Sequence, residues 1–343
     1  MFASCPKFRR INFCAILLWF LCCIACFQAE NPRVNPDALD VEYPISLEKI
    51  REVENIFQEE VYPIYMRHLY RYKYFQEYEK YPFDTQASGF SLNNAWWLAE
   101  FSALATTEPE FVKSNMERLG FEVRFFYGER TDAECFVAWN SESILVAFRG
   151  TEIFGLKDWL TDVKCKLVFW PYGGRVHVGF RNSFFELWTQ QGLKDFIESK
   201  MAEMPNHSKT LWLTGHSLGA ALATLAADAF VGTAQVYTYG SPRVGDRLFQ
   251  ADFAQKTYRF VNHLDIVTNL PPHITSILPY YHVGNLGYLD KNGQIDAPIS
   301  TSSVQITGWS GFWDRIVKSN VVRLFLDHIP TFYAENLKKN LPE

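Results

Sequence analysis

The run Leu211-Trp212-Leu213-Thr214-Gly215-His216-Ser217-Leu218-Gly219-Ala220-Ala221-Leu222-Ala223 leads from a β-branched and apolar segment into a stretch of small residues. It predicts a short strand over 210–214, a sharp turn at Ser217 and a helix from Ser217 to about Val231 with Gly232 as C-cap. A serine on such a turn adopts a strained backbone, and Gly215 and Gly219 are required because a larger side chain on either flank would meet backbone. The hydroxyl is held outward, and the unpaired N–H groups at the helix start lie beside any negative charge that forms on an attacked carbonyl. Acyl transfer needs that arrangement.

The rest of the 343-residue chain is consistent with one large domain, being 48% hydrophobic and 16% aromatic. Residues 1–29 read as a signal peptide, with Lys7, Arg9 and Arg10 before an apolar run between Ile11 and Phe27 and the first acid at Glu30. Secretion is therefore expected, with no stable membrane anchor after processing; an uncleaved anchor is the alternative. The leader holds Cys5, Cys14, Cys22, Cys23 and Cys26, leaving Cys135 and Cys165, which an oxidising compartment would pair as a disulfide. Two unpaired buried thiols are the other reading. Asn206-His207-Ser208 is a glycosylation sequon. The net charge of -5, more acidic still without the leader's basic residues, argues against nucleic acid as a partner.

Residues 30–90 are expected to form an N-terminal helical extension, and 91–343 the main domain. Tyr62, Tyr65, Tyr70, Tyr74 and Tyr78 follow roughly helical spacing, a stripe that either packs on the domain or faces lipid. Helices are predicted near 93–105 and 108–119, and a strand meander over 121–127, 134–139 and 143–149. A strand near 175–180, a helix over 181–201, and strands near 234–239 and 258–261 complete the alternation. That pattern predicts an α/β fold: a mostly parallel sheet flanked by helices, with reactive residues at strand carboxyl ends.

A serine hydroxyl needs a histidine base and an acid to orient it, in the chain order serine, acid, histidine for this class. His273, His282 and His328 all follow Ser217. His328, expected in a C-terminal loop or helix, can swing over the strand tips; His282, in Tyr280-Tyr281-His282-Val283-Gly284, reads as a strand residue. Asp265 ends a predicted strand before Pro271-Pro272 and is the acid of choice. Asp246 is its rival, and more a turn residue. Leu218 N–H supplies one oxyanion donor and Thr151, in Phe148-Arg149-Gly150-Thr151, the other. Asp162 and His177 read as structural. With no paired cysteines, no H-E-x-x-H and no carboxylate-rich loop, no metal or cofactor is expected.

Together with Asp158-Trp159-Leu160-Thr161-Asp162, Val176-His177-Val178-Gly179-Phe180, Tyr239-Gly240-Ser241-Pro242-Arg243-Val244-Gly245 and Asp265-Ile266-Val267 with Leu270-Pro271-Pro272, these motifs resemble the fungal-type class 3 lipases over roughly residues 90–335. The resemblance implies an α/β-hydrolase fold and carboxylic-ester hydrolysis, with Ser217, Asp265 and His328 as catalytic triad and Thr151 with Leu218 as oxyanion hole. It also implies a lid after Thr151, carrying Ile153, Phe154, Leu156 and Trp159, that covers the site in water and turns toward a lipid–water interface; a short core-packing helix with only Trp159 buried is the other reading. The leader and lone cysteine pair are similar to secreted members found in animals such as nematodes. Triacylglycerol hydrolysis is the leading expectation; a phospholipase, a feruloyl-type carboxylesterase or a silent lipid-binding protein are the alternatives.

Overall fold

A computed structural model describes residues 57–150, 166–205, 209–271, 273, 279–300 and 321–342. The predicted leader, Thr151, the lid residues, Asp162, Cys165 and Asn206 lie outside the described residues. Eight strands form one sheet: β1 (Glu122–Tyr127), β2 (Glu134–Trp139), β3 (Ile144–Phe148), β6 (Thr210–His216), β7 (Thr233–Tyr239), β8 (Lys256–Asn262), β9 (Asn285–Leu289) and β10 (Ile295–Ser300), in that spatial order. β3, β6, β7, β8 and β9 are parallel, while β1, β2 and β10 add antiparallel edges. A separate ribbon pairs β4 (Leu167–Phe169) with β5 (Arg175–His177).

The central strands are apolar on both faces because both are covered. On β3, Ile144, Val146 and Phe148 join one core, and Leu145 and Ala147 the other; on β6, Leu211 and Leu213 oppose Trp212 in the same alternation. The first core lies under the helix α4 (Val178–Phe185), α5 (Leu193–Glu203) and α6 (Leu218–Ala229). The second lies under α2 (Leu92–Leu104) and α9 (Pro330–Lys338). Around them run α1 (Tyr62–Arg71), α3 (Pro109–Arg118), α7 (Arg247–Asp252) and α8 (Val321–Leu326).

Local chemistry explains the boundaries. Ser91 Oγ caps α2 by accepting from Asn94 N–H, and Pro109 and Pro330 open α3 and α9, where a missing N–H costs nothing. The single helix predicted over 181–201 is instead α4, a π-helical turn at Glu186–Gln190 and α5, separated by Gly192 in the left-handed region at φ 74°. Helix α6 ends at Ala229, with Phe230 already extended, so Gly232 lies beyond its cap. Tyr280 to Gly284 is not a strand; Tyr281 makes only an isolated bridge to Gly245 before β9 begins. In the tyrosine stripe, Tyr65 and Tyr74 are buried, Tyr62 and Tyr78 half-buried, and Tyr70 is 44% exposed, so the stripe mainly packs inward.

Cys135 is a free thiol buried on β2, and Cys165, its expected bridge partner, lies outside the described residues. Its neighbours are core side chains such as Val137 and Phe148, and burial pushes the thiol pKa up, which keeps it unreactive.

Glu100 on α2 is fully buried, accepting from Tyr72 Oη at 2.6 Å and Phe75 N–H at 3.2 Å, which ties the chain before α2 to that helix. Burial outweighs these bonds and raises its pKa to about 7. A carboxyl whose folded pKa lies above its unfolded value contributes stability at low pH that is lost as pH rises through about 7. Glu100→Gln should flatten that slope, removing up to about 3 kcal/mol of pH dependence. Chemical denaturation of both proteins across this pH range checks it; parallel curves would show that Glu100 does not titrate there.

Candidate active site

Ser217 stands where β6 gives way to α6, at φ 56° and ψ −124°, a conformation that a non-glycine residue holds only when its surroundings enforce it. The enforcement is visible in its flanks. A Cβ on Gly215 would lie 2.3 Å from the Gly219 carbonyl carbon, and one on Gly219 would lie 2.1 Å from Phe148 O. The second contact brings the carboxyl end of β3 against the start of α6. Gly150 is equally confined, since a Cβ there would lie 2.7 Å from His216 O. The segment entering Thr151 is thus packed against the turn. Leu218, buried, opens α6, whose first amides have no partner within the helix.

Asp265 follows β8 by three residues and is fully buried. Its Oδ1 accepts from Val267 N–H at 2.9 Å. Its Oδ2 contacts His328 Nδ1 at 2.8 Å and accepts from Tyr333 Oη at 2.5 Å. His328 sits between α8 and α9 and is also buried. A Cβ on Gly240, the residue after β7, would fall 2.7 Å from Asp265 Oδ2 and 2.9 Å from His328 Nδ1, so only glycine admits this pair beside the strand tips. Ser217 N–H donates to Tyr239 O at 3.0 Å, which sets the serine next to the same corner. Ser217 Oγ is buried and makes no hydrogen bond among the described residues. Catalytic hydrogen bonds often tighten only when substrate is bound.

Three neighbours were not legible as site residues. Tyr333 on α9 donates to Asp265 while accepting from Asn262 N–H at 3.0 Å. Burial, with Asp265 alongside, raises its pKa well above the usual range, so it remains a donor. Asp327 accepts from Leu264 N–H at 3.0 Å and pairs with Arg323 at 2.7 Å, and its carbonyl accepts from Asn262 Nδ2 at 3.1 Å. It clamps the loop holding His328 to the loop holding Asp265. His216 lies with its ring 4.3 Å from that of His328, and burial, then the neighbouring His328, drives its pKa well down, so its own ring stays neutral. A tyrosine five residues past the histidine fits no spacing rule, and the Asp327-His328 adjacency is the one signal that could have been found.

The other histidines are held structurally. His282 Nε2 meets Thr268 O at 2.8 Å, and burial with Arg259 and Arg243 nearby keeps it neutral. His273 Nδ1 meets Tyr280 O at 3.0 Å. His177 caps α4, accepting from Gly179 N–H at 3.1 Å, with its pKa lowered by burial to about 3. Asp246 caps α7 through Phe249 N–H and pairs with Arg175 at 2.9 Å, a turn role as expected. Among the described residues no group of histidine, cysteine or carboxylate side chains could hold a metal ion.

A strained serine on a strand-to-helix turn, with a carboxylate-bound histidine at neighbouring strand ends of a mostly parallel sheet, is the arrangement of the α/β-hydrolase fold. Residues 145–275 match the model of the class 3 lipases. The chain is 31% identical over 194 residues to secreted mono- and diacylglycerol lipase 1 of Fusarium solani, covering 52% of this chain and 54% of that one. It is 30% identical over 207 residues to a lipase of Rhizomucor miehei, covering 56% and 53%. The chain thus spans about half the length of these two curated relatives. The solved triacylglyceride lipase of Rhizomucor miehei shares the fold at a TM-score of 0.55 and 22% identity, over 71% of this chain and 96% of that one.

Proposed function

We propose that the chain is a secreted serine esterase that hydrolyses carboxylic esters of lipids, with acylglycerols as its main substrates. The observation that carries this reading is the Asp265–His328 hydrogen bond, buried at the strand tips beside the strained Ser217. In this reading His328 takes the Ser217 proton as Oγ attacks the ester carbonyl, and Asp265, steadied by Tyr333, keeps the imidazole in the required tautomer. Leu218 N–H and Thr151 hold the oxyanion. Collapse expels the alcohol, which His328 protonates, and water then resolves the acyl-enzyme with the same base.

The substrate class follows from the apolar residues expected after Thr151, Ile153, Phe154, Leu156 and Trp159, as a lid over a buried serine. The relatives named as lipases, among them secreted mono- and diacylglycerol lipases of Fusarium solani and Penicillium camembertii, support both substrate and secretion. Among the described residues no helix is long and apolar enough to cross a membrane. Purified protein should hydrolyse emulsified tri- and diacylglycerol, with the rate rising sharply once substrate exceeds its solubility. Phospholipid vesicles and a soluble short-chain ester complete the panel. Hydrolysis of the soluble ester alone would rule out the lipid assignment.

A further inference from the structure

A groove of about 760 Å³ runs between α1 with the residues after it and the outer face of α9. Arg67 and Arg71, one helical turn apart, and Lys73 form one wall, all exposed and none with a hydrogen-bond or ion-pair partner among the described residues. Lys338 and Lys339 form the other. Of these two, Lys338 is held by Glu77 at 2.8 Å and Lys339 by Asn336 at 2.6 Å. Glu335, the acid in this lining, faces His68 at 3.7 Å. Three uncompensated cations therefore converge on one cleft of a chain whose net charge is -5.

We propose that this groove docks the phosphate headgroups of an anionic phospholipid surface. Like charges held together without a counter-charge repel, and an anion between them relieves that repulsion. A planar lipid surface meets the cationic face alone, whereas an extended polyanion such as nucleic acid would also run over the acidic remainder of the chain. Tyr70, 44% exposed and adjacent to Arg71, suits the headgroup level, where an aromatic ring with a polar tip is at home. The position matters because α9 is shared with the active site. Tyr333 points from it to Asp265, while Glu335 and Lys339 lie on its other side. The docked surface would thus lie about one helix diameter, roughly 10–12 Å, from the triad acid. This deepens the proposed function and rests on it, since the docked aggregate is where the ester substrate resides.

The test measures partition of the full chain carrying Ser217→Ala, so that nothing is hydrolysed, onto phosphatidylcholine vesicles with and without phosphatidylglycerol. Binding should require phosphatidylglycerol, weaken steeply with salt, and survive millimolar inorganic phosphate. Adding Arg67→Gln, Arg71→Gln and Lys73→Gln should weaken it by about 100-fold, the sum of three surface charges at an anionic membrane. These exposed substitutions should leave the circular dichroism spectrum and melting temperature unchanged, and Lys209→Gln, exposed just before β6 and outside the groove lining, should leave binding intact. Equal partition onto both vesicles, retention of binding by the triple variant, or full displacement by inorganic phosphate would overturn the docking proposal. Because partition is read on catalytically silenced protein, its failure leaves the hydrolysis assay untouched, and an inactive wild type leaves the partition result untouched.

Discussion

Ser217→Ala should lower kcat for a soluble short-chain ester by about 10^6-fold while leaving KM and the melting temperature close to wild type. The expectation of an intact fold comes from the turn itself. Ser217 Oγ has no hydrogen bond among the described residues, so its removal breaks none, and alanine meets the same backbone strain at φ 56° that serine does. What the change removes is the atom that attacks. The oxyanion donors and binding surface would still give a residual acceleration of about 10^3 to 10^4 over water, which sets the floor of the assay. A rate within about 100-fold of wild type would mean that another group is the nucleophile.

Asp265→Asn should reduce kcat by about 10^4-fold with geometry preserved. Asp265 Oδ2 receives both His328 Nδ1 and Tyr333 Oη, and an asparagine must place either a neutral oxygen or an amide N–H there. The first loses the charge that stabilises the imidazolium. The second forces the histidine into the tautomer that cannot accept the serine proton. His282→Ala provides the contrast, because its ring bonds Thr268 O in a buried pocket and, among the described residues, has no hydrogen bond to Ser217 or Asp265. It should lower stability but leave kcat per folded molecule within about tenfold. Kinetics normalised to folded protein separate the two, and the opposite ranking would transfer the base to His282.

The candidate site was legible where local sterics dictate sequence. Gly215 and Gly219 announce the turn because their Cβ positions are occupied by backbone. The position of Asp265 just past a parallel strand and that of His328 between two C-terminal elements followed the sequence expectation. Tyr333, Asp327 and His216 were not, because their roles depend on how α8 and α9 fold back over β8 and β6, a tertiary contact with no local pattern. The interrupted helix at 186–192 was missed for a related reason. Its apolar spacing is helical throughout, and only the left-handed Gly192 marks the break. Composition alone did not tell that Cys135 would stand among core side chains on a buried strand, since a lone pair of cysteines after a leader says nothing of their burial.

The central claim, that Ser217 forms a covalent acyl intermediate with His328 as its base, is tested most directly by mass spectrometry after reaction with an alkyl phosphonate ester. Attack by Ser217 Oγ would leave a stable phosphonyl group on the peptide containing residues 210–230, at one equivalent per chain, and His328→Ala would suppress it. An unmodified protein, or an adduct on any other residue, would contradict the assignment.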